Sequence, residues 1–149
     1  MNNKNIKIKL LNEKAIVPTY GTEYAAGADL YACIHNEIDI KPNETVFIST
    51  GISLEIPTGL VGLIYARSGL GCKKGLAPSN KVGVIDSDYR GEIIVALHNH
   101  SKETHIINPN DRIAQIVFTE YYKANFIEEN LNESIRGNNG FGSTGEKNS

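Results

Sequence analysis

IDIKPNETVFISTGISLEIPTGLVGLIY, residues 38–65, carries four short apolar runs separated by turn residues. The runs are Ile38-Asp39-Ile40, Thr45-Val46-Phe47-Ile48, residues 52–56 and Leu60 to Tyr65. Lys41-Pro42-Asn43 and Pro57-Thr58-Gly59 punctuate them with residues that set or tolerate turn dihedrals. Runs this short, bounded in this way, predict strands. The pattern extends outward in both directions. Ile6-Lys7-Ile8-Lys9-Leu10 alternates apolar and polar residues, and further runs occupy 82–85, 92–97, 104–107 and 112–118. Asp88-Tyr89-Arg90-Gly91 and Asn108-Pro109-Asn110-Asp111 separate several of these. No stretch holds ten residues of helical period; only Arg67 to Cys72 opens a short helix or turn. The expectation is an all-β sandwich or barrel.

A chain of 149 residues suffices for one domain with its own core. The net charge of −2 argues against a surface built for the nucleic-acid backbone, and no nucleic-acid partner is expected. Cys33 and Cys72 lack metal-type spacing and read as two reduced thiols. Charges interrupt every apolar run of MNNKNIKIKLLNEK, which is neither a signal peptide nor an anchor. The longest apolar stretch, 60–66, is too short to span a bilayer. A soluble cytoplasmic protein without membrane contact is expected. From Asn132 onward there are four glycines between Gly137 and Gly145 and almost nothing to bury. A body over 1–131 and a flexible glycine-rich arm over 132–149 follow from that change.

Five segments carry chemistry. In Ala26-Gly27-Ala28-Asp29-Leu30 the carboxylate stands at the start of a strand. It reads either as a turn aspartate or as a partner of a hydrated cation such as Mg²⁺. Ala66-Arg67-Ser68-Gly69-Leu70-Gly71 offers a guanidinium, a hydroxyl and backbone N–H groups at a strand end, a set that suits phosphate oxygens. The segment from Asn80 to Glu92 reads as strand, tight turn, strand: a hairpin with Asp86 and Asp88 near its tip. Two carboxylates so spaced could hold a metal or activate water, or could belong to a solvated turn. Gln115 is the one amide in the apolar run after Asp111-Arg112, and if buried it needs a partner. Gly140, Gly142 and Gly145 satisfy G-x-G-x-x-G, but no strand leads in and no helix follows, so a dinucleotide fold is not implied. What remains of Arg136 to Gly145 is a glycine backbone rich in N–H donors, with Arg136 for a phosphate and Phe141 to stack on a base. His98-Asn99-His100 is no nuclease signature, and the four histidines make no zinc pattern with the cysteines.

In this order, AGADL, ARSGLG, NKVGVIDSDYRG, NDRIAQIVF and RGNNGFGSTG resemble the five motifs of the trimeric dUTP diphosphatase (dUTPase) family, over most of the chain from Ala26 to Gly145. The resemblance implies a distorted jelly-roll or β-clip barrel and a homotrimer with sites shared between subunits. It implies Mg²⁺-dependent hydrolysis of dUTP to dUMP and pyrophosphate, which keeps uracil out of DNA and supplies dUMP for dTMP synthesis. Asp29 (through metal-bound water), Arg67, Ser68, Gly69 and Gln115 would face the phosphates and metal from one subunit. Asn80, Gly83, Val84, Ile85, Tyr89 and Ile94 would hold uracil and deoxyribose from a second, with Asp86 as general base. Arg136, Phe141, Gly142, Ser143 and Thr144 would close over the ligand from a third. Asn110 stands where the fourth motif often has glycine, which touches turn geometry. A dCTP deaminase shares fold and triphosphate handling, but its site resembles Arg-Ser-Ser rather than Arg67-Ser68-Gly69. A nucleotide-responsive protein-binding regulator is the other alternative.

Overall fold

Leu60, Gly62 and Ile64 are buried while Val61, Leu63 and Tyr65 are half-buried, so this run is a strand with one face on the core. The computed structural model describes residues 4–138 and 140. Among them the elements begin β1 (Lys7–Leu10), β2 (Thr19–Tyr20), β3 (Ala28–Tyr31), β4 (Ile38–Ile40), β5 (Thr45–Glu55) and β6 (Leu60–Tyr65). They continue with α1 (Ser68–Lys74), β7 (Leu76–Pro78), β8 (Gly83–Ile85), β9 (Glu92–Asn99), β10 (His105–Ile107) and β11 (Arg112–Glu120). One sheet has the order β1-β5-β9-β7, a second β2-β3-β11-β6-β8, and β10 pairs with β4 as a ribbon. All the pairings are antiparallel. Both larger sheets keep open edges, so the all-β expectation holds without closure into a barrel.

The inner faces meet in one core. Leu30, Ile64, Ile113 and Ile116 come from the five-stranded sheet, and Ile48, Ile52, Ile93 and Leu97 from the four-stranded one. Ile40 and Ile107 add the ribbon. Asn99 is buried among them and fully engaged. Its Nδ2 donates to Ile40 O at 2.8 Å and Glu103 O at 2.7 Å, and its Oδ1 accepts from Ser101 N and Oγ. A buried amide so satisfied ties the end of β9 to β4 without the cost of an orphan polar group.

The turns follow from their residues. Glu44 N donates to Lys41 O, Leu60 N to Pro57 O and Asp111 N to Asn108 O. The third residue of each turn has positive φ: Asn43 61°, Gly59 90° and Asn110 67°. Asparagine tolerates this left-handed region better than other side chains, so Asn110 replaces glycine with little change in geometry.

Residues 45–48 and 52–56, expected as two strands, belong largely to one bulged strand. Ser49 opposes Ile94 and Ser53 opposes Glu92, so three residues of β5 stand against Ile93 alone. Gly51 carries a φ of 68° there. A Cβ at Gly51 would lie 2.7 Å from Cys33 Sγ and 2.8 Å from Ala15 Cβ. Thr50 Oγ1 donates to Ile93 O, and Leu11 N to Gly51 O. The sequence reading missed β7 because it is three residues ending in proline. Its single partner, β9, makes β7 an edge, where a missing N–H is tolerated. After Glu120 the chain leaves the sheets, and the described residues of 121–138 form no strand or helix. No element boundary falls at 132.

Gly51→Ala should lower stability by roughly 2 kcal/mol or more, because strain at positive φ adds to the clash with Cys33 and Ala15. A urea midpoint equal to that of the parent would show that the bulge needs no glycine.

Candidate active site

Asp29 lies in β3 with its side chain almost buried, and both carboxylate oxygens are engaged. Arg67 Nε donates to Oδ1 at 2.6 Å and Arg112 Nη1 to Oδ2 at 3.3 Å. Arg67 Nη1 also reaches Arg112 O at 3.4 Å. One carboxylate therefore holds two guanidiniums at the mouth of three segments, β3, the β6–α1 junction and the start of β11. Counted as formal charges the cluster is +1, an excess that suits an anion.

Gln115 opposes Asp29 on one side and Tyr65 on the other. Its Nε2 donates to Ala66 O at 2.9 Å, which fixes the residue before Arg67. Gly27 makes room for it: a Cβ there would fall 2.3 Å from Gln115 Oε1. Arg112 was not singled out from the sequence, and spacing conceals it. Residues three apart point to opposite faces of a regular strand. The register shift between Arg112 and Ala114 adds a residue, so Arg112 returns to the face of Gln115 and Asp29.

Arg67 is the N-cap of α1, with extended dihedrals of −86° and 138°. Leu70 N and Gly71 N both donate to Arg67 O, which leaves the Ser68 and Gly69 amides in the first turn ahead of those bonds. Ser68 and Gly69 are exposed, and no side chain crowds Gly69. The helix or turn expected from Arg67 is thus present, and it presents guanidinium, hydroxyl and amides side by side. Gly75 closes α1 in the left-handed conformation, donating to Leu70 O.

The hairpin expected from Asn80 to Glu92 is not one. β8 pairs with β6 in the five-stranded sheet, whereas β9 pairs with β5 and β7 in the other. Residues 86–91 are a crossover between sheets, because β8 is only three residues long and its alternation serves β6 instead. The Asn80 amide sits beside Gly83, whose absent Cβ would be 3.1 Å from its Nδ2. Val84 is exposed, Ile85 half-buried and Ile94, on the outer face of β9, exposed. Asp86 and Asp88 are both exposed. Tyr89 N donates to Asp86 O at 3.2 Å to make the turn, and Tyr89 Oη donates to Glu92 O at 3.0 Å. The tyrosine ring folds onto Gly91, where a Cβ would meet its hydroxyl at 2.3 Å. Arg90 Nη1 donates to Ser87 O and Tyr89 O, and Ser53 Oγ to Arg90 O at 2.6 Å.

These two groups of residues do not meet within one chain. Ile85 opposes Gly62 and Gly83 opposes Ile64, so Asp86 follows β8 at the end of β6 away from Arg67. Five residues of extended chain separate those ends, about 16 Å. Arg136 is exposed on the segment beyond β11, while Phe141, Gly142, Ser143 and Thr144 lie outside the described residues. A groove of about 1050 Å³, lined by Ile6, Tyr20, Ala26, Leu60 and Phe118 among others, includes none of the predicted site residues. Among the described residues no group of three or more His, Cys, Asp and Glu side chains is placed to hold a metal ion.

Residues 13–145 match the dUTPase family. The chain belongs to the dUTPase family. It is 48% identical over 148 residues to a deoxyuridine 5'-triphosphate nucleotidohydrolase of Baumannia cicadellinicola, covering 95% of this chain and 98% of that protein. It is 46% identical over 149 residues to one of Desulfitobacterium hafniense, covering 97% and 99%. Among solved structures, a point variant of the Staphylococcus bacteriophage 80alpha dUTPase with dUpNHpp superposes with a TM-score of 0.83 at 27% identity, covering 96% of this chain and 99% of that one. The fold is accordingly the jelly-roll of the dUTPases, as the resemblance implied. In this dUTPase chain the cluster around Asp29 and the crossover at Asp86 lie toward opposite ends of β6.

Asp29→Ala strands two guanidiniums and should lower stability by roughly 3 kcal/mol, whereas Arg112→Ala, removing a half-exposed partner, should cost about 1 kcal/mol. Equal urea midpoints for the two variants would mean that Asp29 is not the keystone of the cluster.

Proposed function

We propose that the chain hydrolyses dUTP at sites assembled between copies of itself, with Asp86 as general base. As a member of its family it is an enzyme, a dUTP diphosphatase. The observation that carries the shared site is the β6–β8 register, which holds the acidic turn and the cationic cluster about 16 Å apart in one chain. A triphosphate bound at Arg67 would have to span that gap to present its α-phosphorus to the Asp86 of the same chain, which favours an aspartate supplied by a neighbour. Exposed apolar side chains point the same way. Phe47 and Val84 on the body, and Tyr122, Phe126, Leu131 and Ile135 beyond β11, are all largely exposed in the lone chain, and Ile94 is about half exposed. Patches of that kind mark association surfaces. A closed homotrimer gives three identical seams from one kind of contact.

In this reading Arg67, Ser68, Gly69 and Gln115 receive the phosphates. Asn80 and the backbone at Gly83, Val84, Ile85 and Ile94 read the uracil edge. A pocket closed around C5 excludes thymine by sterics, and paired N3–H and O4 leave cytosine mismatched. The Tyr89 ring lies against deoxyribose, where a 2′-hydroxyl would collide. Arg136, Phe141, Gly142, Ser143 and Thr144 close over the ligand.

Within the cluster only the Asp29 carboxylate would take part in holding a magnesium ion, whose ligands would otherwise be water and substrate phosphates. Asp29 is the single carboxylate of the cluster and each oxygen already takes a guanidinium, so it could meet such an ion only through water. Mg²⁺ commonly keeps several waters and takes substrate phosphates as ligands. When bound with the nucleotide it would supply neutralisation of charge on the departing pyrophosphate. The chain's own residues do the rest. Asp86 accepts a proton from water as the oxygen attacks the α-phosphorus in line. The bond from that phosphorus to the bridging oxygen breaks, and dUMP and pyrophosphate leave. Arg67 and Ser68 hold the phosphates against rotation during the displacement.

Asp86→Asn should bind a dUTP analogue with near-parental affinity and turn over roughly 10²-fold more slowly; parental turnover would remove Asp86 from the mechanism. Sedimentation should show a trimer, and a fully active monomer would refute the shared site. Pyrophosphate from dUTP, with no ammonia from dCTP, separates this activity from that of a deaminase.

A further inference from the structure

Glu92 belongs to none of the five motif roles, yet its side chain reaches from the first residue of β9 into the β5 bulge. Its Oε1 accepts from Gly51 N at 2.8 Å and from Ser49 Oγ. Its backbone carbonyl accepts the Tyr89 hydroxyl at 3.0 Å. One residue therefore joins the bulge, where Gly51 has a φ of 68°, to the ring folded over Gly91. We infer that Glu92 is a positioning residue: by filling the bulge it fixes the height of Tyr89 and so sets discrimination between deoxyribose and ribose.

Tyr89 makes its contacts within the crossover, with Asp86 O and Glu92 O. The end of the crossover is clamped to β5 by Ser53 Oγ on Arg90 O and by the Glu92 carboxylate. Without that carboxylate, the Gly51 amide and the Ser49 hydroxyl lose a half-buried acceptor and the bulge must find another. The register between Ser49 and Ser53 then relaxes, and the carbonyl holding Tyr89 moves with it. A ring displaced by even part of an ångström no longer fills the space that a 2′-hydroxyl would need. Asp86 begins the same turn, farther along the chain from Glu92 than Tyr89 is, and chemistry there should suffer less. Charge is not required, since a single oxygen accepts both bonds and an amide carbonyl can do the same.

This inference rests on the dUTP-hydrolysing function proposed above, and its test separates the two. The readout is the ratio of kcat/KM for dUTP to that for UTP, measured on trimer isolated by size exclusion. Glu92→Ala should lower the ratio at least tenfold, chiefly through faster use of UTP, while kcat for dUTP falls less than threefold. Glu92→Gln should keep the ratio within threefold of the parent. An unchanged ratio in Glu92→Ala, or a loss in Glu92→Gln as large as in Glu92→Ala, overturns the proposal. Should Glu92→Ala not fold, Ser49→Ala decides: a ratio lowered about threefold supports the link, and a parental ratio refutes it. A parent protein inactive on dUTP would instead remove the function on which the inference stands.

Discussion

The carboxylate of Asp29 is the point on which the site depends. A charge in so enclosed a position is tolerable only with partners of good geometry, and two guanidiniums supply them. Because those partners come from the β6–α1 junction and from β11, the ion pairs fix three strand ends relative to one another. The same arrangement leaves more positive than negative charge at the mouth. A buried acid that holds cations in place does not cancel them, so the contacts that stabilise the cluster also leave a charge suited to an anion.

Two bulges convert a regular sheet into this site. An ideal strand sends residues alternately inward and outward, so polar groups at odd spacing cannot converge. The irregularity near Ile113 returns Arg112 to the Asp29 face, and the one at Gly51 lets a side chain from β9 enter β5. In both places the core is kept: Ile113, Ala114 and Ile52 remain buried. Side chains take up backbone groups at each bulge: Thr50 donates to Ile93 O and Glu92 accepts from Gly51 N at one, and Arg67 donates to Arg112 O at the other.

This explains what could be read from the residues alone. Strand positions followed from apolar runs and turn chemistry, both of which are local. Proline and asparagine at 42–43 and 109–110 specified their turns directly. The helical turn at Arg67 was legible because the apolar run of residues 60–66 stops there in polar and glycine residues, which is also a local signal. Pairing was not. The crossover of 86–91 looks like a hairpin because both flanks alternate, and nothing in the alternation says that β8 belongs with β6. Arg112 and Glu92 escaped for the related reason that a bulge shifts parity without a distinctive residue at the polar position. Assignments of Asp29, Asp86 and Gln115 came from the order of motifs rather than from spacing, since each admits a structural reading by itself.

The antiparallel pairing of β6 with β8 has a consequence for how such an enzyme works. With Asp86 as the proposed base and Arg67 in the proposed phosphate cradle, the winding of β6 and β8 puts the two at opposite ends of one strand. In the proposed assembly, distance within the chain becomes proximity between chains. Catalysis and association are then linked by geometry: a dissociated protomer keeps its cationic cluster intact around Asp29 but has no acid opposite it. On the proposed roles, such a protomer would still attract a triphosphate while lacking the means to cleave it. Loss of activity on dilution would thus precede loss of the fold, because the bonds that hold Asp29, Asn99 and Glu92 all lie within one chain.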